Sequence, residues 1–168
     1  MPIILARVDE RLIHGQIMSS PALAALRVNR IIVADGKLSQ SFEMQDVYNS
    51  TLQSGDYPIL GADYVPPVEL ADFLKRRDGR DQRFLAIFRG PDSALEAVRE
   101  GTPLPSLNLG NFTSREPGRR SLTAAFSVGP RESLVLNELH GLVGTLYFNG
   151  LGSKNRPYSP EKHSWIPE

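Results

Sequence analysis

The chain alternates short unbroken apolar runs with stretches of helical periodicity. Ile3-Ile4-Leu5-Ala6, Ile31-Ile32-Val33-Ala34 and Phe84-Leu85-Ala86-Ile87-Phe88 are such runs. Their length and lack of polar interruption predict strands covered on both faces. Residues 104–109 and 143–148 read as further strands, residues 121–128 as a shorter one, and Ile59-Leu60 as the start of a weak one. Between them the pattern predicts helices over 17–26, 39–53, 67–77, 91–100 and 130–139. Pro21 kinks the first helix or sets its first turn. Ser39 caps the second, with Phe42, Met44, Val47, Tyr48 and Leu52 near one face. Gly101 closes the fourth.

This order predicts a single α/β domain: a mostly parallel central β-sheet sandwiched between α-helices in three layers. Residues 1–150 form the domain. Residues 151–168, rich in proline, read as an irregular C-terminal tail packed on or extending from it, with Trp165 as an anchor. In such sheets ligands bind at the carboxyl ends of strands. That rule selects the loops starting at Arg7, Asp35, Arg89 and Asn108.

Composition narrows the chemistry. With 168 residues the chain has room for one domain of ordinary size. Lys+Arg and Asp+Glu both number 19, so bulk charge does not serve nucleic acid or a membrane surface. Cysteine is absent, which excludes disulfides, thiolate nucleophiles and cysteine zinc sites and fits a cytoplasmic setting. No apolar run is long enough to span a bilayer. The three histidines lie far apart, outside metal-ligand spacings, and neither GxGxxG nor GxxxxGK[ST] is present. No metal and no cofactor is called for.

One segment concentrates reactive groups. Arg7-Val8-Asp9-Glu10-Arg11-Leu12-Ile13-His14-Gly15-Gln16 follows the first strand and precedes a helix. His14 is a nucleophile or base near neutral pH. Asp9 is placed to accept a ring N–H and orient the imidazole. Arg11 offers paired donors to an anion, and Gly15 opens the start of the helix to a phosphate. Arg7 and Arg89, each at a strand end, are further phosphate contacts. The plain alternative is a loop of ordinary salt bridges.

The loop RVDERLIHGQI closely resembles the active-site loop of the IIB components of the mannose/fructose/sorbose family of the bacterial phosphoenolpyruvate-dependent sugar phosphotransferase system. NRIIVAD, FLAIFRGPDSALEAVREG, LNLGN and GRRSLTAAFSVGPRESLVLNEL are similar to further family segments in the same order. The resemblance implies a phosphocarrier. The histidine matching His14 accepts a phosphoryl group from a IIA phosphohistidine and passes it to a sugar entering through membrane-embedded IIC and IID components. Asp9 and Arg11 match active-site residues, and the family attacks through Nδ1. It also implies a cytoplasmic protein held at the inner face of the membrane through IIC/IID; a homo-oligomer is left open.

The chain departs from the family in places. Ser19-Ser20-Pro21 stands where a tryptophan is usual, Asn111 replaces a glycine, and the tail has no counterpart. These leave an alternative: a non-transporting regulatory or protein-interaction homologue of the same fold. The other polar features read as ordinary. His140 is a helix C-terminal histidine, His163 lies solvated or on Trp165, and Lys75-Arg76-Arg77 with Arg80 and Arg83 is a solvated helix end.

Overall fold

The first apolar run continues through Arg7 and Asp9 into a strand of seven residues, β1 (Ile3–Asp9). There follow α1 (Gly15–Met18), α2 (Pro21–Ala25), β2 (Arg30–Ala34), α3 (Phe42–Thr51), β3 (Ala62–Val65), α4 (Leu70–Arg76) and β4 (Phe84–Phe88). The chain goes on through α5 (Pro91–Arg99), β5 (Leu107–Asn111), β6 (Arg120–Thr123), β7 (Phe126–Val128), α6 (Pro130–Val143), β8 (Leu146–Phe148), β9 (Arg156–Pro157) and α7 (Pro160–His163). These elements come from a computed structural model that describes residues 3–55, 57–77, 81–149 and 154–163.

The seven-stranded sheet has the order β3-β2-β4-β1-β5-β8-β9. Every pairing is parallel except β9 against β8. The alternation of side chains along each strand makes two cores. Val8, Ile32, Phe84, Phe88 and Leu109 pack with Leu70 and Leu74 of α4, Leu95 of α5 and Leu136 of α6. Ile31, Val33, Leu85 and Ile87 face the other way onto Ile17, Met18, Leu23 and Leu52. Both faces of the central strands are therefore apolar, as their unbroken runs require.

Several details differ from the expected pattern. The helix expected over 17–26 is two short helices, because Ser20 accepts from the Ala22 N–H and Pro21 opens a new first turn. Residues 121–128 form an antiparallel ribbon of two strands rather than one strand. The weak strand lies at Ala62–Val65, beyond Ile59-Leu60.

On α3 the cap is Ser41, and three members of the expected buried face, Phe42, Met44 and Val47, are exposed. Tyr48 and Leu52 of that face do pack on the core, and polar contacts help seat the helix: Gln45 Nε2 donates to the Leu38 carbonyl at 2.9 Å, and Tyr64 Oη to Asn49 Oδ1 at 2.7 Å. The described part of the tail is ordered into the sheet. β9 extends it, and Tyr158 is buried against Phe148. Trp165, expected as the anchor, lies outside the described residues.

Gly110 on β5 has a specific task. A Cβ built there would lie 2.1 Å from the guanidinium carbon of Arg7. Glycine thus lets a buried arginine lie flat across the neighbouring strand. We expect Gly110→Ala to lower stability by roughly 1–3 kcal/mol, the usual cost of overpacking, in urea unfolding.

Candidate functional site

β1 sits between β4 and β5 in the middle of the sheet, so its carboxyl end is held from both sides. Glu10 N–H closes this end by donating to the Asn111 carbonyl at 2.9 Å. The chain then turns sharply. Leu12 N–H donates to the Asp9 carbonyl at 3.0 Å, and Leu12 takes φ of 57°. That left-handed conformation costs a non-glycine residue about 1–2 kcal/mol. Complete burial of the Leu12 side chain offsets it. The turn reverses the chain, and His14 comes back over Asp9 before α1 begins.

Asp9 is the centre of the arrangement and has no exposed surface. Arg11 grips it with two donors, Nε to Oδ1 at 3.0 Å and Nη2 to Oδ2 at 3.0 Å, and its backbone N–H adds a third at 3.1 Å. Arg7 Nε approaches Oδ2 from below at 3.1 Å. His14 Nε2 lies 3.2 Å from the same Oδ2. Burial alone would raise the Asp9 pKa. Hydrogen bonds from His14 and Arg11 and the charge of Arg7 overcome it and hold the carboxyl well below the usual range. Asp9 is thus ionised and faces one ring nitrogen of His14.

Arg7 does not stand where a phosphate contact was expected. It is 4% exposed, and its Nη1 donates to the Asn149 carbonyl at 3.0 Å and to the side-chain oxygen of Asn108. It lies beneath Asp9 and backs it. Asn149 was not singled out from sequence, and Asn108 only as the start of a loop at a strand's carboxyl end. The cue was Gly110 within LNLGN, whose missing side chain makes room for Arg7. Asn108 Nδ2 is buried and finds no hydrogen-bond partner among the described residues.

The remaining expected residues divide. Arg11 is half-exposed beside His14, with Nη1 donating to Gln16 Oε1 at 2.9 Å. Gly15 opens α1, and a Cβ there would meet no atom within 4 Å. The space beside His14 is therefore free on that side. Arg89 directly follows β4, and its Nε donates at 2.5 Å to Oδ2 of Asp35, which directly follows the neighbouring β2. It lines an adjoining cleft, not the contacts of His14.

His140 and His163 lie apart from this loop, on either side of Tyr158, with ring centroids at 5.9 and 5.4 Å. Arg77 of the basic helix end pairs with Asp63 at 3.1 Å, and Arg83 donates to the Leu26 carbonyl. Arg80 lies outside the described residues. Among the described residues no cluster of three or more His, Asp or Glu is arranged for a metal. No helix there is long and apolar enough to cross a membrane.

Comparison with known proteins agrees with this geometry. The profile of the family described as "PTS system sorbose subfamily IIB component" matches residues 3–149. The sorbose-specific EIIB component of the phosphotransferase system in Klebsiella pneumoniae is 29% identical over 142 residues, covering 84% of this chain and 83% of that one. Among solved structures, the IIBSor domain of the Klebsiella pneumoniae sorbose permease superposes with a TM-score of 0.79 at 25% identity, covering 93% of each chain. The fold of manxB from Thermoanaerobacter tengcongensis superposes with a TM-score of 0.82 at 20% identity, covering 98% of this chain and 97% of that one. With a family match spanning nearly the whole chain, and a histidine loop at the central strand's carboxyl end, the protein belongs to the sorbose-subfamily IIB components of the phosphotransferase system, phosphocarriers in sugar phosphotransfer.

Proposed function

We propose that His14 carries the phosphoryl group and that Nδ1 is the atom that bonds to phosphorus. The observation that carries this reading is the 3.2 Å contact between His14 Nε2 and the ionised Asp9. A carboxylate accepts, so Nε2 keeps its proton and the lone pair is left on Nδ1. Nδ1 attacks the phosphorus of the donor's phosphohistidine. The donor's P–N bond breaks as the new one forms, and its electron pair returns to the donor imidazole. The accepting ring gains positive charge in the process, and Asp9 beneath it stabilises that charge.

Phosphoryl transfer asks mainly for alignment and for neutralisation of the equatorial oxygens. Arg11 Nη1 and the open backbone at Gly15 flank the space beside His14 and serve that purpose. Arg7 acts through Asp9 as a positioning residue. Arg7 and Arg11 together keep Asp9 ionised while it faces an imidazole whose charge changes in each cycle.

IIB components of this system work with IIA and with IIC/IID membrane components. For this chain the donor is a IIA phosphohistidine. The recipient is a sugar held by IIC/IID, which places the protein on the cytoplasmic side, held peripherally at the membrane. The family match spans the whole histidine loop and does not favour the alternative of a non-transporting module. No nucleic acid enters this scheme, and it calls for no cofactor.

The test uses ¹⁵N-histidine-labelled protein mixed with a phosphorylated IIA domain of this family. Phosphorus coupling is expected at His14 Nδ1, and phosphate on Nε2 would refute the role given to Asp9. In the same assay Arg11→Ala is expected to slow transfer by about 10²–10³-fold, the scale for losing one preorganised donor to developing charge. Its stability is expected to fall by about 1–3 kcal/mol, since the buried Asp9 carboxylate loses two charged hydrogen bonds but keeps Arg7.

A further inference from the structure

Two adjoining clefts open at the carboxyl edge of the sheet, and His14 lines neither of them. One has a volume of about 620 Å³ and is lined by Asp35, Gly36, Lys37, Arg89 and Arg115. The other has about 480 Å³ and is lined by Glu10, Phe112, Thr113 and Glu132 and again by Arg89 and Arg115, so its two carboxylates balance its two guanidiniums. Both volumes fall within the range of small-molecule sites. Both lie at carboxyl ends of parallel strands, where such sheets bind ligands.

The first cleft is cationic and partly built. Asp35 is nearly buried and holds the loop through two bonds: it accepts the Leu38 N–H at 2.7 Å and Arg89 Nε at 2.5 Å. Arg89 is thereby fixed in place. Lys37 and Arg115 are exposed and make no ion pair with any described residue. Three cations face one carboxylate, so the cleft carries an uncompensated charge of about +2. Guanidinium groups with an ammonium beside them suit a phosphate dianion.

The second cleft has different chemistry. Glu10 and Thr113 offer oxygen acceptors at its wall, and Phe112 offers a ring face. Carboxylates and hydroxyls take hydrogen bonds from sugar hydroxyls, and an aromatic ring covers the apolar C–H face of a pyranose or furanose. Arg89 and Arg115 belong to both walls, so a ligand with one phosphate and one polyhydroxy body spans the two.

We propose that these clefts form a second binding site, for a phosphorylated monosaccharide, which shares Glu10 with the phosphoryl-carrying loop but does not include His14. Lys37, Arg89 and Arg115 hold the phosphate, and Glu10, Thr113 and Phe112 take the sugar. The ligand belongs to the product class of the system, so the choice of sugar phosphates rests on the family assignment. The site itself does not depend on His14. Glu10 directly follows Asp9, so occupancy is linked to the carrier loop by a single peptide unit.

The test is ¹H–¹⁵N NMR titration with aldose, ketose and N-acetylhexosamine 6-phosphates, each run against the free sugar and inorganic phosphate. At least one sugar phosphate is expected to shift the amides of Gly36, Lys37, Arg89 and Thr113. It should bind at least tenfold more tightly than inorganic phosphate or the free sugar. Lys37→Ala and Arg115→Ala are each expected to weaken it at least tenfold, with circular dichroism and phosphoryl transfer to His14 unchanged. The same titration on His14→Ala protein should give the same affinity, which separates this proposal from the carrier reading. Shifts confined to residues 11–16, equal binding of inorganic phosphate, or no binding by any sugar phosphate would each overturn it.

Discussion

Replacing His14 with alanine is expected to abolish acceptance of the phosphoryl group while leaving the fold intact. The imidazole is the only group of its loop with a nucleophilic nitrogen, and the chain has no cysteine to substitute for it. His140 and His163 stack around Tyr158, away from Asp9. The only hydrogen-bond partner of the His14 ring among the described residues is Asp9, which keeps both arginines when the ring is removed. The stability cost should stay within about 0.5–1.5 kcal/mol, the worth of one hydrogen bond. Labelling from a phosphorylated IIA domain reads this directly: the wild type gives an acid-labile, base-stable adduct and His14→Ala gives none. His140→Ala and His163→Ala should label normally. Retained label on His14→Ala would remove the carrier from this loop altogether.

The second large effect is expected at Asp9. Asp9→Asn nearly preserves shape but removes the charge that Arg7 and Arg11 surround. Arg7 is then a buried cation with no carboxylate partner, and breaking a buried pair from one side costs about 3–5 kcal/mol. The amide also fails to fix the ring proton, and the loss in transfer rate should reach 10² or more, in line with other orienter–histidine pairs. The acid dependence of stability separates the two effects. The folded pKa of Asp9 is depressed, so its stabilisation is complete above the ordinary carboxylate range near pH 4 and is lost as pH falls further. Wild-type melting temperature should therefore drop more steeply below about pH 4 than that of Asp9→Asn. Equal slopes would mean that Asp9 is not held by its arginines.

What could be read from the sequence was whatever the chain expresses locally. The runs at Ile3, Ile31 and Phe84 became three adjacent strands, β2-β4-β1, because each is an unbroken apolar run covered on both faces of the sheet. The loop from Arg7 to Gln16 was legible because its reactive groups are adjacent in the chain. The contacts that sort those groups were not. Arg7 reaches Asn108 across 101 positions, and only that contact turns it from a surface cation into a buried support. The left-handed Leu12 carries no turn residue to announce it. On α3 the apolar pattern was right for Tyr48 and Leu52, which pack on the core, and wrong for Phe42, Met44 and Val47, where hydrogen bonds from Gln45 and Tyr64 help seat the helix. The Tyr158 anchor was hidden in a proline-rich stretch whose strand is only two residues long.

The internal use of Nε2 has a kinetic consequence. On the carrier role proposed for His14, one ring nitrogen is held by Asp9, so donor and recipient proteins approach the same atom from the same side. They cannot be bound together, and no ternary complex lies on the route. The carrier must release one partner before it meets the other. Its turnover then follows double-displacement kinetics, with parallel lines in double-reciprocal plots and with excess donor acting as a competitor of the recipient.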